Sequence, residues 1–166
     1  MEIVVIAHNI RSTHNVGAIF RSCDGFGVKH LYLSGYTPYP ALLDGTDARL
    51  PHERDKLTRQ IHKSALGAEA TVPFSHHQSA TALMRQLRQE EFQLVALEQA
   101  SGSINLPDYA PPTRLALLLG EEVDGVASDL LALCDDIVEI PMRGRKESFN
   151  VSVAAGIALY ALSVTR

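Results

Sequence analysis

The chain has 166 residues, of which 46% are hydrophobic and 20% are charged, and its formal net charge is −4 at pH 7. This length suits one continuous core, so we expect residues 1–166 to form a single domain without an accessory extension. Glu2 stands where a signal peptide carries positive charge, and no apolar run reaches the roughly 20 residues that a membrane-spanning helix requires. We therefore expect a cytoplasmic protein without a membrane anchor.

The bulk charge argues against a protein that coats nucleic acid by electrostatics alone. Two local clusters of basic residues are nevertheless present. One lies between Arg49 and Lys63, and it suits either phosphate contacts or an ordinary solvated face. The other contains Arg143, Arg145 and Lys146.

The two cysteines, Cys23 and Cys134, show no spacing typical of metal ligands, so we predict two core thiols and no metal site.

Short, mostly apolar runs alternate with helical patterns along the chain. The runs predicted to be strands are Ile3 to Ala7, Leu31 to Leu33, Val72 to Phe74, Phe92 to Leu97, Leu115 to Leu119 and Ile137 to Ile140. Strands that are apolar throughout are typical of a parallel sheet covered on both faces. The pattern predicts an α/β domain with a mostly parallel sheet and helices on both faces.

Four helices are predicted between and after these strands. The first has an apolar stripe of Val16, Ile19, Phe20 and Cys23, with Gly27 as a stop. The second begins at Ser79, Ser128 and Asp129 are candidate caps of a short third, and the fourth runs from Asn150 to about Ser163. In the fourth, Ala154 to Gly156 form a small-residue surface that another helix can approach closely. Residues Tyr36 to Pro51 are predicted to be a long surface loop.

Ligands of such sheets bind outside the carboxyl ends of the strands, and three polar segments follow predicted strands. The first includes Asn15 and Arg21, and it lacks the glycine pattern of a dinucleotide site and the lysine of a phosphate-binding loop. Spacing places Gly17 and Arg21 away from the buried stripe of the first helix, with Arg21 pointing to the side or outward at the strand-end edge, where Asn15 also lies. Taken alone, this segment is better explained by a capping asparagine and a solvent-exposed arginine than by a functional site.

The second segment, Gly120 to Gly125, combines two glycines with three carboxylates in one turn. The glycines permit close backbone approach by a ligand, and the carboxylates repel one another unless something compensates for their charge. The third segment, Pro141 to Ser152, brings three cations and then the polar residues Ser148 and Asn150 to the start of a helix. Helix capping accounts for only one of these two residues.

Taken in order, the three segments resemble the three sequence motifs of the SpoU/TrmH family of RNA 2′-O-ribose methyltransferases, within the SPOUT class. The matching stretches are Asn15 to Arg21, the pattern Gly120-x-Glu122-x-x-Gly125, and Ile140-Pro141-Met142-x-Gly144 with Ser148 to Ser152. Ser64 to Glu69 is also similar to an internal segment of the family. The resemblance covers essentially the whole chain.

The resemblance implies a carboxy-terminal deep trefoil knot, an exception to the usual unknotted topology of proteins. It implies an S-adenosylmethionine pocket in that knot, here lined by Leu119, Gly120, Ile140, Met142, Ser148 and Phe149. It also implies a homodimer with the active site close to the subunit interface, a role that the small-residue surface at Ala154 to Gly156 fits.

The catalytic residues implied by the resemblance are Asn15, Arg21, Glu122, Ser148 and Asn150. A guanidinium keeps its proton, so we expect Arg21 to hold an RNA phosphate and stabilise a developing alkoxide rather than act as the base. We hypothesise that Glu122 holds Arg21 through a charge-assisted pair, that the two asparagines orient the ribose, and that Ser148 fixes the loop. The residues expected to bind RNA are Arg11, Arg21, Arg143, Arg145 and Lys146.

The chain departs from the family pattern at Glu121, at Phe149 and at Ser12-Thr13, which leaves the identity of the RNA open. We expect tRNA rather than ribosomal RNA, because the domain and its dimer must grip the RNA without help. The alternatives are a knotted module that binds adenosylmethionine or RNA without catalysis, and an unrelated α/β enzyme with a nucleotide or phosphorylated metabolite at the same strand ends.

Overall fold

A computed structural model describes residues 1–164, which form one seven-stranded sheet in the order β3-β2-β1-β6-β4-β7-β5. The strands are β1 (Glu2–His8), β2 (His30–Ser34), β3 (Phe74–His77), β4 (Gln93–Leu97), β5 (Ile104–Asn105), β6 (Arg114–Leu119) and β7 (Asp136–Glu139). All pairings between these strands are parallel. The predicted parallel sheet is confirmed, and its carboxyl ends lie along one edge.

Helices cover both faces of the sheet, as predicted. They are α1 (Thr13–Gly25), α2 (Pro51–Ala65), α3 (Ala68–Thr71), α4 (Ala80–Gln89), α5 (Ser128–Leu131) and α6 (Val151–Val164), with a 3₁₀ turn at Leu106–Asp108. One core contains buried side chains of α1, α2, α3 and α6. The core on the opposite face contains buried side chains of α4 and α5. Within the described residues, no helix combines the length and the apolarity needed to cross a membrane.

Helix α1 buries the predicted stripe, and its first turn is capped by Ser12, whose hydroxyl accepts a 3.3 Å hydrogen bond from the Asn15 backbone. Asn15 is therefore not the capping residue. The position predicted for Gly17 was wrong, because Gly17 is also buried. A Cβ atom there would overlap the Ser64 hydroxyl and the Ile61 carbonyl. Helices α1 and α2 consequently approach each other closely at this glycine.

Helix α2 lies where the sequence indicated only a cluster of basic residues. Its buried side chains are Ile61 and Ala65, which leaves too short an apolar stripe to predict a helix from periodicity. Its start is nevertheless marked, because Pro51 occupies the first turn and the Glu53 carboxylate accepts a hydrogen bond from the Leu50 backbone. The loop after β2 therefore ends at Leu50.

The predicted third strand, Val72 to Phe74, was displaced, because β3 spans Phe74–His77. Val72 instead closes α3, with its N–H bonded to the Ala68 carbonyl. Strand β3 lies at the edge of the sheet and pairs only with β2, so its polar residues are tolerated there. The His30 ring and the Ser75 hydroxyl lie 2.9 Å apart across this pair.

The expected cap of the short helix was also wrong. Helix α5 exists, but Ala127 is its capping residue and makes no side-chain capping bond, so neither Ser128 nor Asp129 is the cap. The surface at Gly156 in α6 is approached closely by α1 of the same chain, since a Cβ at Gly156 would lie 3.5 Å from the Ser22 hydroxyl, and its role in a dimer stays a prediction. Cys23 is buried, as predicted, and Cys134 is half-buried with its pKa raised by burial to about 11.

Candidate active site

Three segments distant in sequence meet at the carboxyl edge of the sheet through a chain of side-chain hydrogen bonds. The Asn15 amide donates to the Glu122 carboxylate at 3.2 Å. The Asn150 amide in turn donates to the Asn15 carbonyl oxygen at 3.2 Å. Asn15 is buried and lies in the middle of this chain. The structure therefore brings together three of the five residues proposed for catalysis.

The Glu122 carboxylate also accepts hydrogen bonds from the backbone N–H groups of Arg11 and Ser12, each at 3.3 Å. Burial alone would raise the pKa of Glu122. The hydrogen bonds from the Arg11 backbone, the Asn15 side chain and the Ser12 backbone outweigh that effect and hold the pKa below its ordinary value. Glu122 is thus a negative charge fixed at the start of α1.

Arg21 lies outside this cluster, nearly two turns after Asn15 on α1, and its side chain is exposed. The expected pair between Glu122 and Arg21 is not formed. The reason is geometric, because the Glu122 oxygens are occupied by donors from the first turn of α1 and the loop before it. Within residues 1–164, the Arg21 guanidinium forms neither a hydrogen bond nor an ion pair.

Asn150 has two roles in this geometry. Its side-chain oxygen accepts hydrogen bonds from the backbone and the hydroxyl of Ser152, at 2.9 and 2.7 Å, and so caps α6. The same side chain reaches Asn15 with its amide group. Ser148, two residues earlier, is exposed and lines the cavity described next.

A cavity of about 370 Å³ opens beside Glu122, between the loops that follow β4, β6 and β7. Five of the six residues expected to bind a cofactor line it: Leu119, Gly120, Ile140, Ser148 and Phe149. Met142 is half-buried and lies outside the lining. The cavity is also rich in carboxylates, which come from Glu98, Glu121, Glu122, Asp124, Glu139 and Glu147.

Sequence reasoning missed the contribution of β4, whose end supplies Glu98 and Gln99. The Glu98 carboxylate accepts hydrogen bonds from the backbones of Val126, at 2.7 Å, and Gln99, at 2.8 Å. The Gln99 side chain donates to the Glu147 carbonyl at 2.7 Å. These two residues brace the loops on either side of the cavity. The sequence did carry a signal for this contribution, because Glu98 and Gln99 are a polar pair directly after a buried strand.

The turn from Gly120 to Gly125 is closed by reciprocal backbone hydrogen bonds between Glu121 and Gly125, at 2.9 and 3.2 Å. A Cβ at Gly120 would overlap the Gly125 backbone, so only glycine permits this closure. Gly125 has a φ of +69° and lies against the Glu98 carboxylate. Both glycines are needed to shape this wall of the cavity.

Residues 2–160 match the family model described as the SpoU rRNA methylase family. The chain belongs to this family. This SpoU-family chain is 32% identical, over 161 residues, to a tRNA (guanosine(18)-2′-O)-methyltransferase of Aquifex aeolicus, covering 96% of the chain and 67% of that relative. It is 34% identical, over 161 residues, to a 23S rRNA (guanosine-2′-O-)-methyltransferase of Nitrosomonas europaea, covering 95% of the chain and 54% of that relative.

The crystal structure of an AdoMet-bound rRNA methyltransferase from Sinorhizobium meliloti superposes on the SpoU-family chain with a TM-score of 0.80 at 25% identity. The match covers 97% of the chain and 55% of that structure. The chain thus spans between about half and two thirds of the length of these relatives.

Four of the five cations expected to contact RNA lie on two loops of this SpoU-family chain. Arg143, Arg145 and Lys146 are exposed on the loop before α6, and Arg11 is exposed before α1. In the basic cluster from Arg49 to Lys63, the Arg49 side chain is bound to the Asp47 carboxylate at 2.6 Å. That arginine is therefore a structural residue, whereas Lys56, Arg59 and Lys63 are exposed.

Proposed function

We propose that this protein transfers the methyl group of S-adenosylmethionine to a ribose 2′-hydroxyl of RNA, with tRNA as the substrate. The observation that carries the proposal is the position of Glu122, which belongs both to the Glu122–Asn15–Asn150 chain and to the wall of the cavity. Family membership and the activities of the two relatives support the same reaction.

The cavity fits S-adenosylmethionine in size and in chemistry. Its volume of about 370 Å³ lies within the range of small-molecule sites. Leu119 and Ile140 offer apolar contacts to a nucleoside, Gly120 leaves its backbone accessible, and the carboxylates suit the positive charge of a sulfonium. When bound there, S-adenosylmethionine supplies an electrophilic methyl group.

Positioning of the ribose dominates the chemistry that the chain itself performs. We propose that Asn15 and Asn150 orient the ribose, since Asn15 is bonded to Glu122, which lines the cavity, and Asn150 is bonded to Asn15. Glu122 acts as a positioning residue for Asn15 and the start of α1. Ser148, exposed at the same mouth, is placed to contact the ligand or the ribose.

Arg21 is proposed to bind an RNA phosphate and to stabilise the developing alkoxide. Its guanidinium is exposed and lacks a protein partner among residues 1–164, so it is available to the substrate. An arginine keeps its proton at neutral pH, so we assign acceptance of the 2′-hydroxyl proton to a phosphate or a water molecule. Arg143, Arg145 and Lys146 are proposed to contact the RNA backbone.

We also propose that the protein works as a homodimer. Helix α6 leaves Val153, Tyr160 and Val164 exposed, at 49%, 59% and 56% of their surface, on a helix whose other side packs on α1. A self-complementary apolar contact would cover them. Sedimentation analysis of the protein and of a Val153→Glu variant tests this, and a wild-type protein that sediments as a monomer contradicts it.

We infer that the segment after β6 is knotted and that residues 1–166 form one methyltransferase domain acting on RNA in the cytoplasm. Strand β6 lies between β1 and β4, while α6 returns to pack on α1. This strand order supports the knot, and the continuous sheet supports the single domain.

Methyl transfer is tested with radiolabelled S-adenosylmethionine and separate pools of tRNA and ribosomal RNA, followed by digestion to nucleosides. We expect label in a 2′-O-methylnucleoside from tRNA. Asn150→Ala and Arg21→Lys should lose transfer, whereas Arg85→Ala, on the exposed face of α4, serves as the matched control. Binding of the cofactor without transfer to either pool would favour a non-catalytic binding module instead.

A further inference from the structure

A second cavity, of about 650 Å³, lies between the start of α1 and the loop after β2. We call it the Tyr36 cavity; the lining residues used below are Arg11, Ser12, Tyr36, Tyr39, Arg49 and His76. Arg11 and Ser12 are also the residues whose backbone N–H groups bind Glu122. Glu122 lines the first cavity, so its carboxylate stands between the two.

The two cavities differ sharply in charge. The first is lined by several carboxylates, whereas none of the described residues that line the Tyr36 cavity is acidic. The Tyr36 cavity contains two arginines and a histidine. Asp47 neutralises Arg49, so Arg11 supplies the positive charge of the second cavity. An anionic polymer is therefore favoured at the second cavity over the first, which suits a cationic ligand.

The back wall of the Tyr36 cavity is a preformed stack of planar groups. The Arg49 guanidinium carbon lies 3.5 Å from the Tyr39 ring centroid, and the Tyr39 ring stacks on His76 with centroids 4.2 Å apart. Arg49 is held from behind by Asp47 and by the Tyr39 and Pro40 carbonyls. This wall keeps its shape without a ligand.

The rim of the cavity is formed by Tyr36, which is 51% exposed although its backbone is fixed. Its N–H donates to the Asn9 side chain at 3.2 Å, and the Asn9 amide donates to Glu121 at 2.9 Å. Gly35 permits this arrangement, because a Cβ there would overlap the Asn9 side chain. The ring is thus presented to solvent by a braced backbone.

Arg11 completes the rim, with its guanidinium carbon 5.8 Å from the Tyr36 ring centroid. An exposed aromatic face beside a cation is the combination with which proteins bind unpaired nucleotides, because the ring stacks on the base and the cation binds the phosphate. In a ribose, the carbon that bears the 2′-hydroxyl is bonded to the carbon that bears the base. The base of a ribose held beside Glu122 is therefore within reach of the Tyr36 cavity.

We propose that the Tyr36 cavity binds the base of the target nucleotide, which stacks on the Tyr36 ring while Arg11 holds an adjoining phosphate. The inference rests on the proposed RNA methyl transfer, and it assigns to Tyr36 a role in substrate binding. Tyr36 acts by stacking, so its ring is required and its hydroxyl is not.

The test exploits the absence of tryptophan from the sequence. Tyr36→Trp places the only tryptophan of the chain in the cavity, where it can be excited selectively. Short single-stranded RNA of mixed sequence should quench its emission as a base stacks on it. Gln89→Trp, on the exposed end of α4 away from the carboxyl edge of the sheet, is the matched control and should not respond. RNA that binds by filter retention without selective quenching of Tyr36→Trp overturns the proposal, and so does RNA that does not bind.

A second measurement separates this inference from the proposed reaction. Tyr36→Ala should raise the KM for RNA on the order of 10-fold, as expected for the loss of one stacked base, while Tyr36→Phe stays near wild type. Affinity for S-adenosylmethionine should not change in either variant. Normal transfer by Tyr36→Ala would overturn the base site and leave the proposed function standing. Selective quenching without any transfer would overturn the proposed reaction and leave the base site standing.

Discussion

The Asn15 side chain is bound on both sides, since its amide donates to Glu122 and its carbonyl oxygen accepts from Asn150. This pairing fixes the orientation of the amide, because neither partner is satisfied if the group is flipped. Residues of the first, second and third polar segments are thereby joined at one point.

The first prediction concerns the charge at this junction. Asn15→Asp replaces a donor with a carboxylate facing Glu122, so it should destabilise the fold by about 1–3 kcal/mol and lower methyl transfer. Thermal unfolding and labelled transfer measure the two effects. Adding Glu122→Gln returns a donor to the pair and should recover much of the stability. A double variant as unstable as the sum of its single variants would contradict the contact.

The second prediction concerns the pH dependence of stability. The pKa of Glu122 is lower in the folded protein than its ordinary value, because the backbone and Asn15 hydrogen bonds outweigh burial. Its stabilising contribution is therefore complete above the ordinary pKa of about 4.3, and it is lost as the pH falls through the lower folded-state value. Urea unfolding of wild type and Glu122→Gln should show a constant difference near neutral pH that shrinks in acid. A stability difference that persists unchanged in acid would contradict a lowered pKa of Glu122 in the folded protein.

The third prediction compares two glycines of α1. Gly17→Ala should cost about 1–3 kcal/mol of unfolding free energy, because the new methyl group meets the Ile61 carbonyl and the Ser64 hydroxyl in α2. Gly25→Ala is the matched control, since a Cβ there meets nothing within 4 Å, and alanine favours a helix. Urea denaturation should separate the variants clearly. Equal stability would mean that the two helices are not in close contact.

The fourth prediction tests the brace after β4. Glu98→Ala removes the acceptor of the Val126 N–H and should weaken S-adenosylmethionine binding roughly 10-fold, as for the loss of one charged hydrogen bond. Calorimetric titration with the cofactor measures this effect. Glu90→Gln, at the exposed end of α4, should bind normally. Normal binding by Glu98→Ala would show that the turn keeps its shape without the brace.

Much of the fold was predictable because its strands are buried on both faces. The runs at β1 and β6 are nearly uninterrupted apolar residues, and the ends of such strands mark where ligands bind. Edge strands lack this signal, which explains the displaced limits of β3 and the unpredicted two-residue β5. Helix α2 escaped prediction because it buries only Ile61 and Ala65.

The contacts within the site were less predictable than its residues. Glu122 was expected to bind Arg21, but the path of the loop before α1 brings the Arg11 and Ser12 backbones to the carboxylate first. No spacing rule specifies that path. Glu98 and Gln99 belong to no recognised motif, and their importance follows from the proximity of β4 to β6 and β7 in the sheet. The buried position of Gly17 depends on α2, which was itself not predicted.

The positions of the site residues along the chain also determine when the site can form during synthesis. The cavity is formed by the turn at Gly120 to Gly125, by Glu98 and by the loop at Glu147 to Phe149. Asn15 also requires Asn150 as its hydrogen-bond donor. A nascent chain that ends before Asn150 therefore holds all seven strands of the described sheet but no complete site. Such a chain is consequently unable to join Asn15 to Asn150, and the complete site arises only after α6 has docked on α1.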